Sequence, residues 1–211
     1  MATRAVFLDL DGVLIDSMQA HAKAWVQMLA EHGIKMDELQ IYLREGEKAE
    51  DTIALLMEQH GLQRTPEEQW TMIERKREIY RQAAPQRLRA DARQLVDELR
   101  QRHIQLTIVT GSNRRNVDKT VPPDEQELFE QIITADDYRR GKPAPDPYLS
   151  ALAQSGFRPD ECRILENAPL GIQAGTAAGI FTVAITTTLP AQYLTAADAI
   201  IDSYQDFLKY L

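Results

Sequence analysis

Residues 4–17 read RAVFLDLDGVLIDS. The run from Arg4 to Leu10 is short, apolar and rich in β-formers, the pattern of a strand covered on both faces. It nevertheless closes on two aspartates, Asp9 and Asp11, with Gly12 behind them. Alternate residues of a strand share a face. Two carboxylates on one face repel each other and are costly to desolvate unless a cation joins them. A plainer reading is a turn in which the aspartates cap backbone amides, since Asp-Gly is a turn dipeptide.

Four further runs have the same character: QLTIVT ending at Thr110, EQIITA ending at Ala135, CRILE ending at Glu166 and FTVAIT ending at Thr186. ADAIID near the C-terminus is a sixth candidate. Between them lie segments with apolar residues at helical spacing, ADARQLVDELRQRH and PDPYLSALAQSG, the second with Gly156 as its C-cap. Strands alternating with helices predict βαβ units and a parallel sheet. From Ser17 to Arg87 the alternation stops. AHAKAWVQMLAEHG, AEDTIALLMEQHG and PEEQWTMIERKREIYRQA all read as amphipathic helices, with Gly33 and Gly61 as stops. The expected organisation is an α/β core from residues 1–16 and 88–211, with a helical insertion over residues 17–87. The hinges fall near Ile15–Ser17 and Ala83–Ala90.

The 211 residues carry a net charge of -8, which argues against a nucleic-acid or anionic-membrane partner, because both need a basic face. One or two local cations can still receive a small anion. No apolar stretch approaches the roughly 18 residues of a membrane span, and the first apolar run is interrupted by aspartates, unlike a signal peptide. One cysteine, Cys162, allows no internal disulfide and fits a reducing compartment.

Ligands of open α/β sheets bind at the carboxyl ends of the strands. Those ends supply Asp9 and Asp11 on the first strand, and Thr110, Gly111, Ser112 and Asn113 on the second. Lys142 follows the third, within RRGKPAPDP, and Glu166 and Asn167 end the fourth. A hydroxyl with backbone amides can cradle an anion, and a lysine is a point charge for phosphate. Each has a bland alternative: an N-cap serine, a solvated lysine, a loop acid.

The order DLDGVLIDS, helical insertion, IVTGSNR, GKPAPDPY, LENAPLGIQAG resembles the haloacid dehalogenase superfamily of phosphoryl-transfer enzymes. Within it, the chain is similar to the branch with a small helical cap that includes β-phosphoglucomutase and many sugar-phosphate phosphatases. The resemblance covers nearly the whole chain and reaches SMQAHAKAW and ERKREIY in the insertion. It implies a Rossmann-like parallel sheet core with an inserted helical cap domain. It implies Asp9 as the nucleophile that becomes an aspartyl-phosphate, and Asp11 as the general acid and then base, its carbonyl also on the metal. Thr110 and Gly111 would hold phosphate oxygens, and Lys142 would balance charge. Mg²⁺ would be held by Asp9, Asp11 and the fourth-strand pair Glu166 and Asn167.

That pair departs from the pattern, because relatives commonly carry a second acid where this chain has Asn167. Either Asn167 ligates through its amide oxygen or Glu166 moves in as ligand, or the site is degraded and non-catalytic. The cap offers Ser17, His21, Lys76 and the loop Arg44-Glu45-Gly46-Glu47-Lys48 as substrate contacts, with Gly46 and Lys48 foremost. His21 and Trp25, four apart on one helix face, are equally read as packing, and Lys76 as part of a solvated charged run. The arginine of the mutase cap loop falls here on Ala49, and the neighbouring Lys48 is a poorer substitute for bidentate phosphate contact. The expectation is therefore a cytoplasmic, Mg²⁺-dependent phosphatase for a small phosphorylated metabolite such as a sugar or polyol phosphate, a monomer or weak oligomer. The alternatives are a β-phosphoglucomutase-type isomerase and a non-catalytic phosphate-binding relative.

Overall fold

The computed structural model of the protein describes residues 2–83 and 87–211. The first run forms β1 (Ala5–Leu8). Four helices follow: α1 (Met18–Glu31), α2 (Glu38–Tyr42), α3 (Ala49–Gln59) and α4 (Pro66–Ala83). The chain then returns through α5 (Ala90–Gln101), β2 (Gln105–Val109), α6 (Arg114–Thr120), α7 (Pro123–Gln126) and β3 (Gln131–Ile133). It ends with α8 (Asp146–Ser155), β4 (Cys162–Glu166), α9 (Pro169–Ala177), β5 (Phe181–Ile185), β6 (Ala199–Ile201) and α10 (Tyr204–Phe207). The six expected strands form one sheet in the order β3-β2-β1-β4-β5-β6, and every pairing is parallel.

The central position of β1 explains its composition. All four of its residues are buried. Val6 and Leu8 join a core with α5 residues Leu95, Val96 and Leu99 and with Phe207 of α10. Ala5 and Phe7 face the other way, against Tyr148 of α8 and Ala174 of α9. A period of two thus serves two helical layers, which is why the run shows no polar alternation.

The helices between β1 and α5 bury a core of their own. Trp25, Met28 and Leu29 of α1 meet Ile53 and Leu56 of α3 and Met72 and Ile73 of α4. The fold is therefore a Rossmann-like core with an inserted helical cap. Of the two expected hinges, Ile15–Ser17 lies among the described residues, while residues 84–86 of the second fall outside them. The short helix α2 was not expected. Its five residues ELQIY are too few to show a helical period, and Asp37 and Gln40 close a capping box at its start. The strand expected from Arg4 to Leu10 stops at Leu8. Beyond it Leu14 and Ile15 donate to the Leu10 carbonyl, and Gly12 donates to Ile15, so Asp11 sits in a tight loop rather than on the strand.

Candidate active site

One cavity of about 90 Å³ opens at the carboxyl ends of the strands, beneath the cap. Asp9, Asp11, Thr110, Gly111 and Ser112 line it from the sheet side. His21, Trp25, Lys76 and Tyr80 line it from the cap helices, and Arg44, Glu45, Gly46 and Glu47 from the loop between α2 and α3. The site is thus drawn from chain segments far apart in sequence that parallel pairing brings to one rim.

Lys142 is 2% exposed. Its ammonium donates to Asp9 Oδ1 at 2.5 Å and to Glu166 Oε1 at 2.6 Å. Burial opposes its charge, but the two acids outweigh burial and hold Lys142 well above the usual lysine range. Gly46 packs over this lysine: a Cβ there would stand 2.6 Å from Lys142 Cδ, and its φ of +86° already favours glycine.

Glu166 is spent on structure. Its Oε1 also accepts from the Tyr148 hydroxyl at 2.6 Å, and its Oε2 accepts from the Asn167 amide N–H at 3.0 Å. This corrects the expectation that Glu166 serves a metal directly, since its Oε1 is shared between Lys142 and Tyr148 and its charge is turned to Lys142. Asn167 is the side chain that this strand end offers. It is fully buried, and its Nδ2 donates to Glu45 Oε2 and Thr188 Oγ1, both at 2.9 Å.

Asp11 accepts from the Ser17 hydroxyl at 2.6 Å and lies 3.0 Å from His21 Nε2. His21 Nδ1 is 2.6 Å from Lys76 Nζ, and the ring stacks on Tyr80 with centroids 3.9 Å apart. One tautomer satisfies both contacts: Nε2–H donates to Asp11 and Nδ1 accepts from Lys76. Burial pushes the Asp11 carboxyl up, but His21, Ser17 and Lys76 outweigh it and hold the group at about 2. Lys76 is pulled down to about 7 by burial, against the attraction of Asp11. His21 is lowered by burial and by Lys76.

Several expected substrate contacts do other work. Ser17 is fully buried and its hydroxyl is committed to Asp11. Asn113 does not line the cavity; its side chain caps α6 by accepting from Asn116 N–H, and Asn116 lines the cavity instead. Lys48 is turned away from the cavity. Its ammonium donates to the carbonyls of Ala135 and Tyr138 at 2.9 and 2.8 Å, so it ties the cap loop to the core. Sequence reasoning named Glu45 only as a member of the suspected cap loop, and it did not single out Tyr148, Thr188, Asn116 or Arg77, the last of which also lines the cavity. Only Glu45 carried a signal, as an acid within the loop already suspected.

Three buried oxygens in this region have no partner: Asp9 Oδ2, Glu45 Oε1 and Asn167 Oδ1. A set of oxygens alone suits a hard cation such as Mg²⁺. Among the described residues no three His, Cys, Asp or Glu side chains group to hold a metal by themselves. An amide or backbone carbonyl must therefore complete any such site, and Asn167 supplies one.

A parallel sheet with paired acids, a buried lysine and an inserted cap above its central strand end defines a hydrolase of the capped α/β type. The family model described as haloacid dehalogenase-like hydrolase matches residues 6–185, and the chain belongs to that family. It is 30% identical over 204 residues to a validoxylamine A 7'-phosphate phosphatase from Streptomyces hygroscopicus subsp. limoneus, covering 94% of this chain and 92% of that one. It is 27% identical to hexitol phosphatase A from Escherichia coli K12, covering 97% and 93%. A solved structure described as a candidate β-phosphoglucomutase from Bacteroides vulgatus is 32% identical, with a TM-score of 0.84, covering 99% of this chain and 87% of that one.

Proposed function

We propose that the protein is a Mg²⁺-dependent phosphomonoester hydrolase for a small phosphorylated metabolite, a sugar or polyol phosphate. One observation carries this reading: Asp9, gripped by Lys142, stands beside Asp11 at the end of the central strand, in a cavity roofed by the cap. Asp9 attacks phosphorus and becomes an aspartyl-phosphate. Thr110 and the amide of Gly111 receive phosphate oxygens, and Lys142 offsets their charge. Asp11 delivers a proton to the leaving oxygen and later takes one from the attacking water.

Asp11 is held ionised when the site is empty of substrate. An arriving phosphate raises its affinity for a proton, because like charges resist each other. Lys76 and His21 form a hydrogen-bonded line to the same oxygen and supply that proton from a lysine poised near neutrality.

Mg²⁺ would be held by Asp9, the Asp11 backbone carbonyl and Asn167 Oδ1. When bound it neutralises phosphate charge and polarises the reacting centre. The residues fit this role through the unpartnered oxygens of Asp9 and Asn167.

The two relatives above are named as a validoxylamine A 7'-phosphate phosphatase and a hexitol phosphatase, which supports a small phosphorylated metabolite as substrate. Against the mutase alternative, Ala49 occupies the cap arginine's place and Lys48 is engaged with core carbonyls, so neither grips a second phosphate. No described helix is long and apolar enough to cross a membrane. We take the location to be cytoplasmic, with Cys162 free and buried.

The test is a panel of phosphosugars and phosphopolyols with Mg²⁺, measuring both inorganic phosphate and isomerised product. Phosphate release that Asp9→Ala abolishes supports the hydrolase. Isomerisation without release, stimulated by a bisphosphate, replaces it with the mutase, and neither product across the panel overturns both.

A further inference from the structure

Glu45 has no role in the scheme above. It sits on the cap loop between α2 and α3, is 8% exposed, and accepts a hydrogen bond from Asn167 of the core. We propose that Glu45 is a cap-borne carboxylate ligand for the divalent cation, replacing the acid that position 167 lacks, so that the cation site is complete only when the cap is seated. The proposal rests on the metal reading given above.

The pairing of Glu45 with Asn167 is chemically specific. Both N–H bonds of the Asn167 amide are used, one on Glu45 Oε2 and one on Thr188 Oγ1. This fixes which way the amide points and leaves Oδ1 without a partner. Glu45 Oε1 is likewise buried and unpartnered, as is Asp9 Oδ2. Leaving such groups unsatisfied costs about 1–3 kcal/mol each. An aspartate at 167 would set two carboxylates against each other where the amide now donates. Position 167 therefore accepts an approaching cap acid only because it is an amide.

Charge points the same way. The buried cluster holds the acids Asp9, Asp11, Glu45 and Glu166, and against them stand the ammonium groups of Lys142 and Lys76. Neither Asp9 Oδ2 nor Glu45 Oε1 meets either ammonium group, which leaves both carboxylates open to a cation. The loop is held in reach by two other contacts: Lys48 on the carbonyls of Ala135 and Tyr138, and the backbone of Gly46 and Glu47 seated on Gly111, where a Cβ would meet Gly46 O at 2.7 Å.

Glu45→Gln separates a ligand from a latch. Its amide oxygen can still accept from Asn167, but the charge is gone. Mn²⁺ binding to the full chain is measured by electron paramagnetic resonance, and Mg²⁺ binding by calorimetry, without substrate. Glu45→Gln is expected to weaken both by about 10- to 100-fold. Glu45→Gln with Asn167→Asp, which returns a carboxylate to the strand end, is expected to recover most of that loss. Mn²⁺ should slow amide exchange over residues 44–48 in the wild type and leave it unchanged in Glu45→Gln. Wild-type affinity in Glu45→Gln, with binding abolished in Asp9→Asn, would overturn the proposal and leave the metal reading standing. Failure of the wild type to bind Mn²⁺ or Mg²⁺ at millimolar concentration would overturn both.

Discussion

Lys142 and Glu166 form an ion pair at 2.6 Å in which neither side chain reaches solvent. The same ammonium meets Asp9 at 2.5 Å. Removing one partner of a buried pair strands the other charge and costs about 3–5 kcal/mol. Lys142→Met is therefore expected to lower the urea midpoint steeply and to abolish turnover. Glu166→Gln keeps an acceptor for Tyr148 and loses much less stability. An unfolding curve for Lys142→Met that overlays the wild type would show that the group is not held as an ion.

Asp11 ties the acid stability of the fold to the site. Its folded carboxyl titrates at about 2, below the ordinary 3.8. A depressed carboxyl contributes stability that is present above the unfolded value and lost as pH falls from about 4 towards 2. The shift corresponds to about 2 kcal/mol. Asp11→Asn should flatten the stability curve across that window. Parallel wild-type and variant curves in denaturant titrations between pH 5 and 2 would remove this assignment.

Lys76 is expected to shape the alkaline side of the activity profile. Held at about 7, it carries a transferable proton below that pH and loses it above. The wild-type kcat/KM should fall as pH rises through about 7. Lys76→Arg keeps the charge but will not release the proton, so it should lower the rate and erase that limb. A limb unchanged in Lys76→Arg would assign it to another group.

Lys48 tests whether cap seating and chemistry are separable. Hydrogen bonds from a charged donor are worth about 1.5–3 kcal/mol each when buried, and Lys48 makes two to core carbonyls while half-buried. Lys48→Met should speed amide exchange over residues 44–48 and reduce kcat/KM by roughly 10-fold, about 1.4 kcal/mol, without changing the pH profile. A shifted pH profile would place Lys48 in the proton chemistry instead.

Gly111 offers a steric counterpart. Its Cβ would lie 2.7 Å from Gly46 O and 3.0 Å from Glu47 O, both backbone atoms that cannot swing aside. Gly111→Ala should lower the melting temperature no further than Lys48→Met does and cripple turnover, because the cap loop can no longer settle. Near-wild-type kcat/KM in this variant would contradict the close approach.

The strands were legible because a fully buried parallel sheet writes itself as apolar, β-branched runs, and all six appear where QLTIV, CRILE and their counterparts stand. Their ends also marked the rim on which Asp9, Thr110, Lys142 and Glu166 meet. Orientation was not legible. Nothing local distinguishes Lys48, bound to core carbonyls, from a lysine aimed at substrate, because its partners lie 87 and 90 residues away. Asn113 shows the same limit on a smaller scale: a strand-end polar residue can face the ligand or cap the next helix, and here it caps. Glu166 read as a metal acid because Tyr148, which helps to saturate it, sits on a helix with no sequence cue to that contact.

The pairing of β1 has a consequence for how the chain acquires its structure. Ala5 lies beside Gln105 on one side and Cys162 on the other. The earliest strand to be synthesised must wait for the fourth before it is flanked on both edges, and contacts of such sequence separation form slowly. The helical cluster of residues 18–83 packs α1 on α4 within one continuous segment and can organise while later segments are still emerging. A nascent chain can therefore bury the cap's own core before the site beneath it exists, and chains truncated ahead of residue 162 expose the apolar edge of β1, an invitation to aggregate.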